Sequence, residues 1–115
     1  MEIDDCSFGR IKIDGHEYTR DVIIYPNRID SSWWRKEGHR LQIEDVADIL
    51  EARPDVVVVG TGQQGSMKID KEVEDLLRTK GIELRVAETP QACRAHNRLI
   101  KKSKKIIVTA LHLTC

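Results

Sequence analysis

At 115 residues the chain has the size of one ordinary domain, enough to bury a single core and too short to set a catalytic domain beside a cofactor domain. A content of 40% hydrophobic and 33% charged residues describes a soluble globular protein. No apolar run approaches the roughly 18 residues of a membrane span, and a formal net charge of zero argues against a dedicated polyanion binder. The charge is nevertheless uneven, because all 19 Asp and Glu precede residue 89 while residues 89–115 carry only basic charge. The acidic start, Met1-Glu2-Ile3-Asp4-Asp5, has no basic stretch leading into an apolar one, so a cytoplasmic location is the expectation. Cys6, Cys93 and Cys115 are odd in number and widely spaced without a C-x-x-C pair, which fits reduced thiols rather than a disulfide framework or a zinc module.

In chain order, Phe8 to Ile13 alternates apolar and polar, Asp14-Gly15 is a tight-turn pair, and Tyr18 to Tyr25 resumes a β-rich run, predicting an N-terminal hairpin. Residues 28–42 hold both tryptophans and no clean period, and read as a long loop with room for a short strand; such loops in small domains often carry function. Ile43, Val46, Ala47 and Leu50 repeat at helical spacing and predict a helix that ends before Pro54. Val56 to Val59 is a continuous apolar run of the kind buried on both faces of a parallel sheet. Asp70 is placed to cap the next helix, whose stripe is Val73, Leu76 and Leu77, with Gly81 at its C-terminal stop. Ile82 to Ala87 reads as a strand. Thr89-Pro90 reads as a hydroxyl cap and a first-turn proline opening a helix with Ala92, Ala95, His96, Leu99 and Ile100 on its buried stripe. Ile106 to Leu113 is the last strand. The order from residue 43 is α-β-α-β-α-β, which predicts one α/β domain over residues 1–115: three layers, a mixed and largely parallel sheet flanked by helices, and the N-terminal hairpin.

The stretch "VVVVGTGQQGS" carries Gly60-x-Gly62-x-x-Gly65 directly after a strand, the pattern of a dinucleotide loop. In such a site the second glycine opens the helix that points at the pyrophosphate. Here the helix starts near Asp70, several residues late, and an acid at its start repels phosphate. A strand-to-loop turn needing positive φ is the better reading, so no cofactor is expected.

Four stretches carry a family resemblance: "SSWWRKEGH" ending at His39, "VVGTG" at 58–62, "TPQACRAHNRL" at 89–99 and "HLTC" at 112–115. Their order and spacing resemble the small domain shared by uncharacterised prokaryotic proteins, an assembly factor of mitochondrial respiratory complex I, and an adipogenesis-associated human protein. The similarity runs over nearly the whole chain. It implies a three-layer α/β domain with a mixed sheet, and it implies no reaction; the eukaryotic roles are in assembly or regulation. The complex I role needs a mitochondrial address, which the acidic N-terminus does not show. The positions the resemblance points to are Trp34, Arg35 and His39 in the loop, Gly60, Thr61 and Gly62 after the strand, and Thr89, Pro90, Ala92 and Asn97 in the last helix. Consecutive parallel strands open their β-α junctions at one edge, so residues 60–62 and Thr89 are expected as neighbours, roofed by 33–39. Asn97 then faces either the glycine loop, a ligand or an ordinary backbone partner.

Other chemistry is thinner. Arg35 and His39 have the side chains for an anion or a proton, and of two adjacent tryptophans in an extended segment one is core while the other is exposed. His112 and Cys115 have the spacing of half a zinc site without a second half, so no metal is expected. Cys93 near a helix start is either a reactive thiol or a small buried residue, and His96 on an apolar stripe is a core histidine. Arg94, Arg98, Lys101, Lys102 and Lys105 project onto one helical face, either a weak nucleic-acid surface or a solvated one. The resulting expectation is a binding or assembly module rather than an enzyme, acting as a monomer or weak homo-oligomer. Its partners would be a protein or a small ligand at the carboxyl ends of the parallel strands; an enzyme acting on a small anionic molecule is the alternative.

Overall fold

The computed structural model describes all 115 residues. The chain opens with β1 (Ile3–Ser7), β2 (Arg10–Ile13) and β3 (His16–Tyr18), an antiparallel sheet in that order. Asp14 and Gly15 both have positive φ, the paired left-handed geometry of a two-residue hairpin turn between β2 and β3. The alternation of Phe8 to Ile13 therefore marks the middle strand; β1 escaped the sequence reading because its charged residues hide the pattern. The run from Tyr18 to Tyr25 is two strands in two sheets, since β4 (Val22–Ile24) leaves the hairpin for the central sheet.

Within the loop after Pro26 lie two short strands, β5 (Ile29–Asp30) and β6 (Arg40–Leu41). A 3-10 turn (Ile43–Val46) leads into α1 (Ala47–Glu51), followed by β7 (Val56–Gly60), β8 (Lys68–Ile69), α2 (Lys71–Thr79), β9 (Glu83–Ala87), α3 (Thr89–Lys102) and β10 (Ile107–Leu111). The central sheet has the order β5-β4-β10-β7-β9. Its β10–β7 and β7–β9 pairings are parallel and its β10–β4 and β4–β5 pairings antiparallel, so the sheet is mixed and the parallel part is confined to three strands.

Burial of the valine run on both faces divides the interior into two cores. Val57 and Val59 join Ile23, Tyr25, Trp33, Leu41, Met67, Val73 and Leu77 under α1 and α2. Val56 and Val58 join Ile3, Ile11, Ile13, Ile24, Ala92 and Leu111 under α3 and the hairpin sheet. The two-residue period of a strand is what sends alternate valines to opposite layers. At about 25 cal/mol per Å² of apolar surface removed from water, each such layer supplies much of the folding free energy.

Two expected helix caps take other partners. Asp70 stands at the start of α2, but its carboxylate is bound in a bidentate pair by Arg40 at 2.8 and 3.0 Å. Thr89 is the first residue of α3, after Glu88 at the cap, and its hydroxyl links two neighbouring segments instead of capping. The basic face is also shorter than projected. Arg94, Arg98, Lys101 and Lys102 are exposed on α3, whereas Lys105 lies past Ser103, where the chain turns extended, so it shares no helical face with them.

His96 is the buried histidine that its stripe required. Its Nε2–H donates to Met1 O at 2.8 Å, which leaves Nδ1 to accept from the Thr109 hydroxyl at 2.7 Å. Burial pushes its pKa below the ordinary value of 6.5, so the unfolded chain takes up the proton first. Stability from this group is therefore complete above about pH 6.5 and falls as pH drops below that value toward the folded pKa. The urea midpoint is expected to decline over that window, with a shallower decline in His96→Gln.

Candidate functional site

The glycine loop after β7 is covered by the chain's own residues 113–115. The amide of Gln63 donates to Thr114 O at 2.7 Å, and those of Gln64 and Ser66 donate to Cys115 O at 3.0 and 3.1 Å. Gly62 has φ +107°, and a Cβ there would stand 2.1 Å from the carbonyl carbon of Cys115 and 3.0 Å from the His112 ring. Both the left-handed backbone and the close approach demand glycine. Thr89 clasps the same junction: Gly62 N–H donates to its hydroxyl at 2.9 Å and that hydroxyl donates to His112 O at 2.6 Å. The amides that a phosphate would need are thus spent on residues 114 and 115 and on the Thr89 hydroxyl.

His112 joins this clasp to the tryptophan loop. Its Nδ1–H donates to Asp21 Oδ2 at 2.8 Å, and Asp21 Oδ1 accepts the Leu113 amide at 2.8 Å. Arg35 Nη2 spends its two protons on Asp21 Oδ2 and Gly38 O, each at 2.8 Å, and the Arg35 guanidinium lies 4.5 Å over the Trp33 ring. Burial raises the Asp21 carboxyl, but the bonds from His112, the Leu113 amide and Arg35 outweigh it and hold the pKa below the usual carboxylate value. The His39 ring meets that of His112 edge to face at 5.4 Å.

The predicted residues therefore separate into groups. Gly60, Thr61, Gly62, Thr89 and, through His112, Arg35 and His39 do gather at one edge. Pro90 and Ala92 lie in the first turn of α3, with Ala92 wholly buried. Asn97 is elsewhere: its amide clamps Ile3, accepting from the backbone N and donating to the backbone O at 2.8 Å each. Trp34 is not a roof over the glycine edge, being 75% exposed while Trp33 is 8% exposed.

Trp34 lines a groove of about 540 Å³ with Trp33, Lys36, Glu44, Asp45 and Asp48, closed at the side by Asp30 and Ile23. Asp45 is occupied in building it, accepting the amides of Lys36 and Gln42 at 3.0 and 2.8 Å, while the Trp33 indole donates to Asp45 O at 3.3 Å. Sequence reasoning missed Asp21, which lies in a connection between strands with no motif around it. It also passed over the acids at 44, 45 and 48, whose signal was their crowding at the start of a short helix.

A family model described as a protein of unknown function (DUF498/DUF598) matches residues 3–112. The chain belongs to this family. Solved structures share the fold. A conserved hypothetical protein from Pyrococcus horikoshii OT3 is 31% identical with a TM-score of 0.82, each chain covering 100% of the other. A Xanthomonas campestris protein superposes with a TM-score of 0.82 at 21% identity over 96% of this chain and 83% of its own. The human NADH dehydrogenase [ubiquinone] 1 alpha subcomplex assembly factor 3 is 28% identical over 107 residues, 90% of this chain and 56% of that protein. The chain thus spans about half the length of the curated relatives it matches. No helix of this DUF498/DUF598 member is long and apolar enough to cross a membrane.

Two substitutions probe the clasp. Asp21→Asn leaves the buried Arg35 without its counter-charge and is expected to lower unfolding free energy by about 3 kcal/mol in urea titrations. Gly62→Ala is expected to cost about 2 kcal/mol or more and to free the Gln64 and Ser66 amides for hydrogen exchange.

Proposed function

We propose that this protein is a binding module of the assembly type, and that it engages a basic segment of a protein partner through Trp34 and the acidic groove beside it. The observation that carries the reading is the exposure of Trp34 next to a buried anchor, Trp33. Trp33 and Arg35, on either side of it, are held by Asp45, Asp21 and Gly38, so the backbone that carries the exposed indole is fixed. A preorganised tryptophan of this kind is what concentrates binding energy at interfaces. The groove offers carboxylates at Asp30, Glu44, Asp45 and Asp48 against the single cation Lys36, which already pairs with Glu44 at 3.8 Å. Its charge therefore attracts Lys or Arg, and Trp34 adds a face for a cation.

The likeness to a protein named as an assembly factor supports the class of function. We read the glycine loop as an internal clasp for residues 112–115, because its amides are already bonded. A cytoplasmic setting, with the three cysteines free, accompanies this reading.

Calorimetric titration with an arginine-rich peptide tests it. Wild-type protein is expected to bind the peptide with an affinity that falls as salt rises. Trp34→Ala and Asp48→Lys are each expected to weaken binding at least tenfold while leaving the urea midpoint unchanged. Equal affinities for wild type and both variants would overturn the assignment.

A further inference from the structure

Two of the three cysteines meet at a place that the proposed binding surface does not use. β1 carries a bulge between Ile3 and Asp5, where two steps along β1 oppose one step along β2: Ile3 pairs with Ile13 and Asp5 with Lys12. In a regular strand residues three apart point to opposite faces. The extra residue cancels that alternation, so Cys6, paired with Ile11, falls on the same inward face as Ile3. Asn97 pins the Ile3 backbone to α3, and Cys93 stands one turn earlier on the same side of that helix. Cys6 and Cys93 consequently come together at one pocket between β1 and the first turns of α3.

The surroundings of the pair are unequal. Cys6 is half-buried and accepts from the Gln63 side-chain amide at 3.7 Å, whereas Cys93 is buried. Both line a pocket of about 300 Å³ with Asp4, Asp5, Arg94 and Asn97. Asp4 and Asp5 are engaged by the Gly15 amide and by Arg10 at 2.7 and 2.9 Å, which leaves Arg94 to meet an anionic group entering the pocket.

We propose that Cys6 and Cys93 form a redox-active dithiol that reacts with low-molecular-weight disulfides bearing carboxylates and closes into an intramolecular disulfide. The Cys6 thiolate attacks one sulfur of the incoming disulfide, forming a mixed disulfide and expelling the first thiolate. Cys93 then loses its proton to the medium and attacks the Cys6 sulfur, breaking the mixed disulfide and expelling the second thiolate. Two electrons pass from the protein dithiol to the reagent, and one reagent disulfide becomes two thiols. The division of labour follows from the contacts. The neighbouring Cys93 thiol and the Gln63 amide, working against burial and the Asp5 charge, lower the Cys6 pKa to about 7, while the neighbouring Cys6 sulfur and burial push Cys93 up.

The test treats the reduced full-length chain with glutathione disulfide at neutral pH and maps the products by peptide mass spectrometry. Wild type is expected to yield a Cys6–Cys93 disulfide without retained glutathione. Cys93→Ser and Cys93→Ala are both expected to stop at one glutathione on Cys6, Cys6→Ser to form no intramolecular disulfide, and Cys115→Ser to behave as wild type. Alkylation of Cys6 by iodoacetamide is expected to reach half its plateau rate near pH 7 in wild type and at a higher pH in Cys93→Ala. Retention of glutathione on wild-type Cys6, unchanged oxidation in Cys6→Ser, or a Cys6 rate profile unmoved by Cys93→Ala would each overturn the proposal.

Discussion

The buried guanidinium of Arg35 is the constraint around which one edge of this molecule is organised. A cation taken out of water requires a counter-charge and acceptors, and Asp21 with Gly38 O supplies them to Nη2 at 2.8 Å each, while Nη1 is left without a partner. Asp21 in turn receives His112 and the Leu113 amide, so a single carboxylate joins the start of β4, the tryptophan loop and the segment after β10. These three segments are far apart in sequence, and none would hold this geometry alone. With Asp21 in place, residues 113–115 cross the glycine loop and Trp33 sinks into the core. Trp34, next in the chain, is then forced outward.

Two independent layers follow from the buried valine strand. One face carries α1 and α2, the acidic groove and the tryptophans; the other carries α3, the hairpin sheet and the thiol pair. The central sheet lies between them, about 10 Å from the layer packed on each side. Chemistry at Cys6 and contact at Trp34 therefore occur on opposite sides of one rigid element. The glycine loop is tied to the second side, where Gln63 gives its backbone amide to Thr114 and its side chain to Cys6.

Membership of the DUF498/DUF598 family agrees with this division, because the matched residues 3–112 include the hairpin, the tryptophan loop, both helical layers and His112. The Pyrococcus horikoshii chain, alike over its whole length, carries the same architecture. An α/β sheet of this type usually leaves a crevice beyond the carboxyl ends of its parallel strands. Here that crevice is occupied by the chain itself, and the exposed aromatic is displaced to a neighbouring groove.

Local pattern by itself determined the helices after residue 70, the strands at 56–60, 83–87 and 107–111, the turn at Asp14-Gly15 and the core position of His96. In each of these, period, turn residues or a continuous apolar run express a local energetic preference that packing did not override. The same pattern showed that one of Trp33 and Trp34 would be buried, but not which. Local preference misread Asp70 and Thr89, since both have the chemistry of caps and both found stronger partners across space, Arg40 for one and the Gly62–His112 clasp for the other. It was silent on Asp21, on the meeting of Cys6 with Cys93, and on what fills the glycine loop. Those depend on a buried charge finding its partner, on a one-residue bulge that reverses the facing of β1, and on a terminal segment folding back over β7. Each is decided by distances between segments far apart in the chain, which no local periodicity records.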